Sequence, residues 1–155
     1  MPFDFWDDFK PGQTIDCGSL TITRDEIVAF ASEYDPQTMH LDEDAARATM
    51  AGGLIASGWH SCCILVRMVT ERLRRDTSVI DLAGVEETRW LAPIRPGDRI
   101  AARVTVLDSA AAPDNPDRGL VRLRLELLDA SGKALLSMRA SPAFARRVAA
   151  ASSTP

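Results

Sequence analysis

The sequence predicts a single α+β domain in which an antiparallel sheet wraps around one long helix. One strand-like segment precedes a long helical segment and four strand-like segments follow it, an order that favours the α+β layer arrangement. The chain has 155 residues, so dividing it between two cores would leave each half too small to be comfortably stable. We therefore predict one domain over residues 1–148 and a flexible tail over residues 149–155.

The first predicted elements are a strand and a capped helix. Residues 13–23 carry spaced apolar side chains among Thr and Gly after a Pro-Gly turn, which is typical of a short strand. Thr23 stands at an N-cap position with Glu26 three residues later, which is a capping box. The apolar face that follows predicts a helix that ends near Tyr34.

A loop, a second short helix and the long helix come next. Residues 35–41 are predicted to form a loop, because Pro36 disfavours helical backbone at the residue before it. Asp42 is predicted to cap a short helix over residues 43–49. Residues 57–75 contain few turn formers and end in basic side chains that suit a helix dipole, so they are predicted to form the long helix.

The second half of the chain is predicted to consist of strands. The third strand-like segment alternates strictly as V-R-L-R-L-E-L, which indicates a sheet with one wet face. Turns are predicted at residues 95–98 and 130–133, and a longer polar excursion at residues 113–118. The predicted strands are residues 79–90, 99–107, 120–129 and 134–144.

Composition and charge argue against several kinds of partner and location. A formal net charge of −4 and a pI near 5.2 leave no long basic stripe for a nucleic-acid backbone. No apolar stretch is long enough to span a membrane, and the acidic, aromatic N-terminus does not resemble a secretory signal. The three cysteines, Cys17, Cys62 and Cys63, form no even disulfide framework, so we expect a reduced, cytoplasmic protein.

The residues most suited to chemistry lie in two nearby stretches. Residues 30–42 read F-A-S-E-Y-D-P-Q-T-M-H-L-D, and residues 53–59 read G-L-I-A-S-G-W. Together they resemble the MaoC-like dehydratase and (R)-specific enoyl-CoA hydratase family, whose usual pattern is F-A, then D-x-N-P-x-H-x-D, then small residues leading through a glycine into a helix. The resemblance implies a hot-dog fold, a catalytic pair of Asp35 and His40, and a Gly58 amide that binds the thioester oxygen.

The resemblance extends more weakly through residues 90–100 and includes two departures from the pattern. Gln37 stands where Asn is usual and keeps an amide on a longer stem, and Thr38 replaces the usual Pro. The family implies reversible hydration of a trans-2-enoyl-CoA to an (R)-3-hydroxyacyl-CoA, a reaction of fatty acid metabolism. It also implies no metal or organic cofactor, coenzyme A as part of the substrate, and a homodimer or higher homo-oligomer paired edge to edge.

The same chemistry can be argued from the residue types alone. Hydration of an unsaturated thioester needs a group that takes a proton from water, a group that delivers one to the α-carbon, and a donor to the carbonyl oxygen. Asp35 and His40 can share the first two tasks, since an imidazole with an ordinary pKa of about 6.5 changes protonation near neutrality. The N–H groups at a helix N-terminus suit the third task, and Gly58 offers one without a side chain.

Several of these residues also have a structural interpretation. Gly58 fits a packing glycine, Ser57 fits a small residue at a helix start, and Asp42 fits a helix cap better than an acid. Met39 and Trp59 fit walls of the core or of an acyl pocket. The residues predicted to bind substrate are Gln37, Ser57, Met39 and Trp59.

No metal site is predicted from the histidines and cysteines. Helical spacing places His60 and Cys63 on one face while Cys62 points away, so three ligands do not converge. The basic run at residues 72–75 fits a solvated helix end, or a contact with the phosphates of coenzyme A.

Two other functions remain open from the sequence. A hot-dog acyl-CoA thioesterase needs a carboxylate beside the thioester carbon, yet after Gly58 no acidic residue follows on the long helix until Glu71. A non-catalytic acyl-thioester-binding module would have no need of an intact Asp35 and His40 pair.

Overall fold

A computed structural model of the protein describes residues 5–73, 78–82 and 84–147. The predicted flexible tail at residues 149–155, and Arg74 and Arg75 at the predicted end of the long helix, lie outside the described residues. Within the described ranges, an antiparallel sheet packs around one long helix, as predicted.

The helices confirm most of the predicted boundaries. Thr23 Oγ1 accepts a hydrogen bond from the Glu26 N–H at 3.2 Å, and Glu26 Oε2 accepts one from the Thr23 N–H at 2.8 Å, so the capping box is present. The short helix predicted over residues 43–49 ends at Arg47, two residues earlier than predicted. The helices are a 3-10 turn at Trp6–Asp8, α1 at Arg24–Tyr34, α2 at Thr38–Leu41, α3 at Glu43–Arg47 and α4 at Gly58–Leu73.

The prediction of a continuous loop over residues 35–41 is wrong, because α2 forms one helical turn there. The proline fixes its own φ and disfavours helix at the residue before it, but it does not prevent a helical turn that begins two residues later, at Thr38. The Asp42 N–H donates to the Thr38 carbonyl at 3.1 Å and closes the turn. This turn carries His40 and buries it.

The sheet has seven strands in the described residues, all paired antiparallel. The order is β1-β4-β5-β6-β3, while β7 pairs with both β5 and β2. The strand β3 therefore forms one edge of the main path. The strands are β1 at Thr14–Thr21, β2 at Val79–Asp81, β3 at Val85–Trp90, β4 at Arg99–Ala112, β5 at Asn115–Leu128, β6 at Ala134–Ala140 and β7 at Ala143–Ala145.

The strand predictions were wrong at three places. Residues 79–90 and 134–144 were each predicted as one strand and each forms two. Pro142 separates β6 from β7, since proline has no N–H to donate to a ladder. The polar excursion predicted at 113–118 is a tight turn at Pro113 and Asp114, because β4 and β5 pair well beyond their predicted ends.

The core lies between α4 and the inner face of the sheet. Leu65 of α4 and Val104 of β4 are fully buried and belong to one continuous apolar cluster. Burying a side chain of this size stabilises the fold by roughly 1.5–3 kcal/mol. The cluster fixes α4 against the sheet, so the N-terminus of α4 is held in a constant position beside α2 and the end of β3.

Candidate active site

A cavity of about 480 Å³ opens beside the N-terminus of α4, within the usual range for small-molecule sites. Its polar lining comes from Asp35, Gln37 and His40, and its aromatic lining from Trp59 and Trp90. The cavity thus brings together residues from the end of α1, from α2, from α4 and from β3.

Asp35 ends α1 and presents a carboxylate with both oxygens occupied. Its N–H donates to the Ala31 carbonyl at 3.0 Å, which fixes its backbone. Ser57 Oγ donates to Asp35 Oδ2 at 2.6 Å, and Gln37 Nε2 donates to Asp35 Oδ1 at 2.8 Å. These two hydrogen bonds, and to a smaller degree the charge of His40, hold the pKa of Asp35 below its ordinary value against the opposing effect of burial. Asp35 is therefore a carboxylate at neutral pH.

His40 is buried, and its tautomer is set by the backbone. Nδ1 lies 2.8 Å from the Ile55 carbonyl oxygen, which can only accept, so Nδ1 carries the proton in the neutral ring. Nε2 then has a free lone pair and lies 3.6 Å from Asp35 Oδ2. That distance is too long for a direct hydrogen bond, but a water beside both atoms can donate to each of them.

Ser57 connects the carboxylate to the start of α4. Its side chain is fully buried, and Oγ accepts from the Trp59 N–H at 3.2 Å while donating to Asp35. The predicted hydrogen bond to substrate therefore has a competitor, because the single hydroxyl proton of Ser57 is already directed at the carboxylate. The segment before Ser57 is held on both sides, since the Ile55 N–H donates to the Met39 carbonyl and the Ala56 N–H to the Ile94 carbonyl.

Gly58 lines the cavity as the first residue of α4. In the part of the chain that the structure describes, no group accepts a hydrogen bond from the Gly58 N–H, as expected for a first-turn amide. The packing interpretation also holds, because a Cβ at this position would lie 2.6 Å from Trp90 Nε1. Gly58 therefore combines an available amide with the close approach of an indole ring.

Trp90 is a cavity residue that the sequence analysis did not single out as part of the site. It ends β3, lines the cavity and stands edge-on to Trp59, with ring centroids 5.3 Å apart. The sequence indicated Trp90 only as the first residue of the 90–100 stretch, which resembles the family pattern. Its contact with Gly58 joins residues far apart in the chain and could not be read from spacing.

The remaining predicted site residues occupy different places. Met39 is half-buried and contributes its carbonyl to the Ile55 N–H rather than a cavity wall. Trp59 lines the cavity and is 61% exposed. Asp42 caps α3, its Oδ1 accepting from the Ala45 N–H at 2.8 Å, which confirms the cap interpretation.

The residues considered for a metal do not converge. His60 is buried and stacks on Phe30 with ring centroids 4.6 Å apart, whereas Cys63 is exposed. Across the described ranges, no group of three or more His, Cys, Asp or Glu side chains is arranged to hold a metal ion. None of the helices in those ranges has the length and apolarity needed to cross a bilayer.

Comparisons with known proteins place the chain in a family. The family described as "MaoC like domain" matches residues 8–121, a span that contains every residue named above as lining the cavity. The uncharacterized protein YdeM of Bacillus subtilis (strain 168) is 31% identical over 119 residues, which are 77% of this chain and 83% of that protein.

Solved structures give the same result. A MaoC-like dehydratase from Rhodospirillum rubrum is 35% identical, with a TM-score of 0.87 over 94% of this chain and 99% of that one. The unliganded R-hydratase PhaJ1 from Pseudomonas aeruginosa is 21% identical, with a TM-score of 0.73 over 97% of this chain and 94% of that one. At 21% identity, the likeness to the R-hydratase shows a shared fold.

Proposed function

Since this chain belongs to the family of MaoC-like domains, whose structural relatives include a dehydratase and an (R)-hydratase, we propose that it reversibly hydrates a trans-2-enoyl-CoA to an (R)-3-hydroxyacyl-CoA. One observation carries the proposal. Asp35, His40 and Gly58 line a single cavity, and His40 Nε2 and Asp35 Oδ2 are spaced to hold one water between them.

The proposed first step is the attack of that water on C3 of the substrate. The water donates one hydrogen bond to His40 Nε2 and one to Asp35 Oδ2, which orients an oxygen lone pair toward C3. His40 takes the proton as the carbon–oxygen bond forms, because the carboxylate of Asp35 is already stabilised by two donors and is the weaker base. The charge of Asp35 then stabilises the imidazolium.

The second requirement is a place for the electrons displaced from the double bond. They move toward the thioester carbonyl, and the developing negative charge on its oxygen is met by the Gly58 N–H and the positive end of the α4 dipole. His40 returns its proton to C2 on the face that water attacked, and the carbonyl re-forms. The sum is one water added syn across C2 and C3, and the enzyme ends in its starting protonation state.

The same proposal includes the surroundings of the reaction. We propose no metal or organic cofactor, since the two side chains and the helix N-terminus supply each step, and coenzyme A enters only as part of the substrate. Three thiols without disulfides, Cys17, Cys62 and Cys63, support a reducing cytoplasmic location.

We also propose a homodimer paired along β3. This strand lies at an edge of the sheet, and half-exposed apolar side chains lie on it and on the neighbouring face of α4. A contiguous apolar edge of this kind is usually covered in a stable protein. These residues are Trp59, Val66, Val85, Trp90 and Leu91.

The test is a panel of trans-2-enoyl-CoA thioesters of increasing chain length, followed by loss of the enone absorbance. We expect hydration of at least one member, with an (R)-3-hydroxyacyl product that a stereospecific dehydrogenase oxidises. The opposite enantiomer would contradict the proposal. Release of free coenzyme A without hydration would favour the thioesterase, and tight binding without either reaction would favour the binding module.

A further inference from the structure

Gln37 makes two hydrogen bonds to one residue, Asp35. Its backbone N–H donates to the Asp35 carbonyl at 2.7 Å, and its side-chain Nε2 donates to Asp35 Oδ1 at 2.8 Å. Pro36, whose φ is fixed by its ring, lies between them. The three residues therefore form a compact unit in which the amide of Gln37 is folded back onto the carboxylate.

This unit completes the restraint of the carboxylate. The χ2 torsion of an aspartate is broad, so one donor leaves the carboxylate plane free to turn. Ser57 holds Oδ2, the oxygen that lies 3.6 Å from His40 Nε2, and Gln37 holds the opposite oxygen. With both oxygens bonded, the edge that faces the water site keeps one orientation.

We propose that Gln37 is a positioning residue that acts through Asp35, holding the plane of its carboxylate turned toward His40, rather than a residue that binds substrate. This inference rests on the proposed hydration. It gives Gln37 a different role from the substrate contact expected from the sequence. It also explains how the chain works without the Asn that is usual at this position, because the longer stem of Gln reaches back two residues to the carboxylate.

The inference is tested with Gln37→Leu, which keeps the length and approximate volume of the stem and removes the amide. Thr38→Val is the matched control, since it changes the adjacent exposed residue, the first of α2, and leaves the donors to Asp35 intact. Two quantities are measured for each protein. One is kcat and KM for the best enoyl-CoA of the panel, and the other is the titration of the Asp35 side-chain carboxyl by carbon-13 NMR.

We expect Gln37→Leu to lower kcat roughly tenfold, the scale of one hydrogen bond to a charged group, with KM nearly unchanged. We also expect the substitution to raise the pKa of Asp35 relative to the wild type, because the lost hydrogen bond from the Gln37 side-chain amide to Oδ1 stabilises the charged form. Thr38→Val should match the wild type in both. In an Asp35→Asn background, Gln37→Leu should cost nothing further, because the carboxylate through which it acts is absent.

A rise in KM with unchanged kcat would overturn the inference and return Gln37 to substrate binding. An unchanged Asp35 titration in folded Gln37→Leu would overturn it as well. The NMR measurement requires no turnover. If the wild type hydrates no enoyl-CoA, the proposed function fails, whereas a raised Asp35 pKa in Gln37→Leu would still show the restraint of the carboxylate.

Discussion

Asp35 and His40 differ in how the protein has prepared them for proton transfer. Asp35 receives two hydrogen bonds and is stabilised as a carboxylate, while His40 has one nitrogen committed to a backbone carbonyl and the other free. The pair therefore contains one oriented charge and one available base. In the proposed reaction both act on the same water, so their contributions should not be independent.

We predict that His40→Ala lowers the hydration rate by roughly 10²–10⁴, the usual range for loss of acid–base catalysis. Asp35→Asn should lower it to a similar degree, because it removes the charge that orients the water and stabilises the imidazolium. The double variant should lose little more than either single variant. Asp42→Asn should retain activity, because Asn caps a helix about as well as Asp. Steady-state rates of variants shown to be folded by circular dichroism decide this, and additive losses would mean that the two residues act in separate steps.

Gly58 illustrates two requirements at a single position. The proposed reaction needs the Gly58 N–H, and Trp90 occupies the space where a Cβ of residue 58 would lie. A simple substitution cannot separate these requirements, because any side chain meets the indole. A smaller residue at position 90 makes the separation possible.

We predict that Gly58→Ala lowers activity in the wild type but is tolerated in a Trp90→Ala background, where the Cβ has room. Gly58→Pro in the same background also gains room but has no N–H, so it should lose roughly 10²–10³ in rate, the cost of one oxyanion donor. Proline is accommodated in the first turn of a helix, so this variant should fold. Equal activities of the Ala and Pro variants in the Trp90→Ala background would remove the amide from the mechanism.

Among the secondary-structure elements, the sequence correctly predicted those helix caps and helices that depend on the spacing of nearby residues. The capping box at Thr23, the cap at Asp42 and the long helix follow from residues three or four apart, and all are present. The short turn of α2 was missed because four residues carry too weak a pattern. Strand ends were misjudged because pairing between β4 and β5, rather than propensity, sets where they stop.

Long-range contacts account for the part of the site that the sequence did not reveal. The closeness of Asp35 and His40 could be expected from the family resemblance and their five-residue separation, but the hydrogen bond from Ser57 to Asp35 spans 22 positions. The outer face of the sheet shows the same limit. Alternation predicted a wet face, yet Glu126 there is buried between Arg103 and Arg124, with contacts of 3.1 and 3.5 Å across and along the strands.

The contact between α1 and α4 leads to a prediction about pH. His60 of α4 is buried against Phe30 of α1, and its Nδ1 has no hydrogen-bond partner within the described chain. Burial lowers the pKa of His60 below 6.5, with Arg67 acting in the same direction and Glu26 opposing it. Between the folded pKa and about 6.5, the unfolded chain binds more protons, so stability is complete above this range and falls as pH decreases through it.

We predict that the free energy of unfolding of wild type falls below about pH 6.5 more steeply than that of His60→Leu, which cannot take up a proton. The difference between the two proteins can change by at most about 1.4 kcal/mol per pH unit. Urea denaturation across a pH series measures it. Parallel pH profiles for the two proteins would mean that His60 does not titrate on unfolding.

In the whole molecule, the apolar edge along β3 is exposed in the single chain. The cavity and the apolar edge share Trp59, Trp90 and Leu91, so a second copy along β3 would lie at the mouth of the site. The single chain has a mass of 16.9 kDa, and the dimer would be twice that. Assembly and substrate affinity should therefore change together.

We predict that Val85→Arg, on the exposed edge strand, converts the proposed dimer to a monomer and raises KM for enoyl-CoA, because it would place a charge in the proposed apolar interface and uncover the cavity mouth. Leu120→Arg is the matched control, since Leu120 is a similarly exposed apolar residue on β5, away from that edge, and it should remain dimeric with an unchanged KM. Light scattering coupled to size exclusion gives the masses, and circular dichroism confirms that both variants are folded. A monomeric wild type would refute the pairing outright. A monomeric Val85→Arg with the KM of the wild type would separate assembly from the site and show that one chain forms a complete substrate cavity.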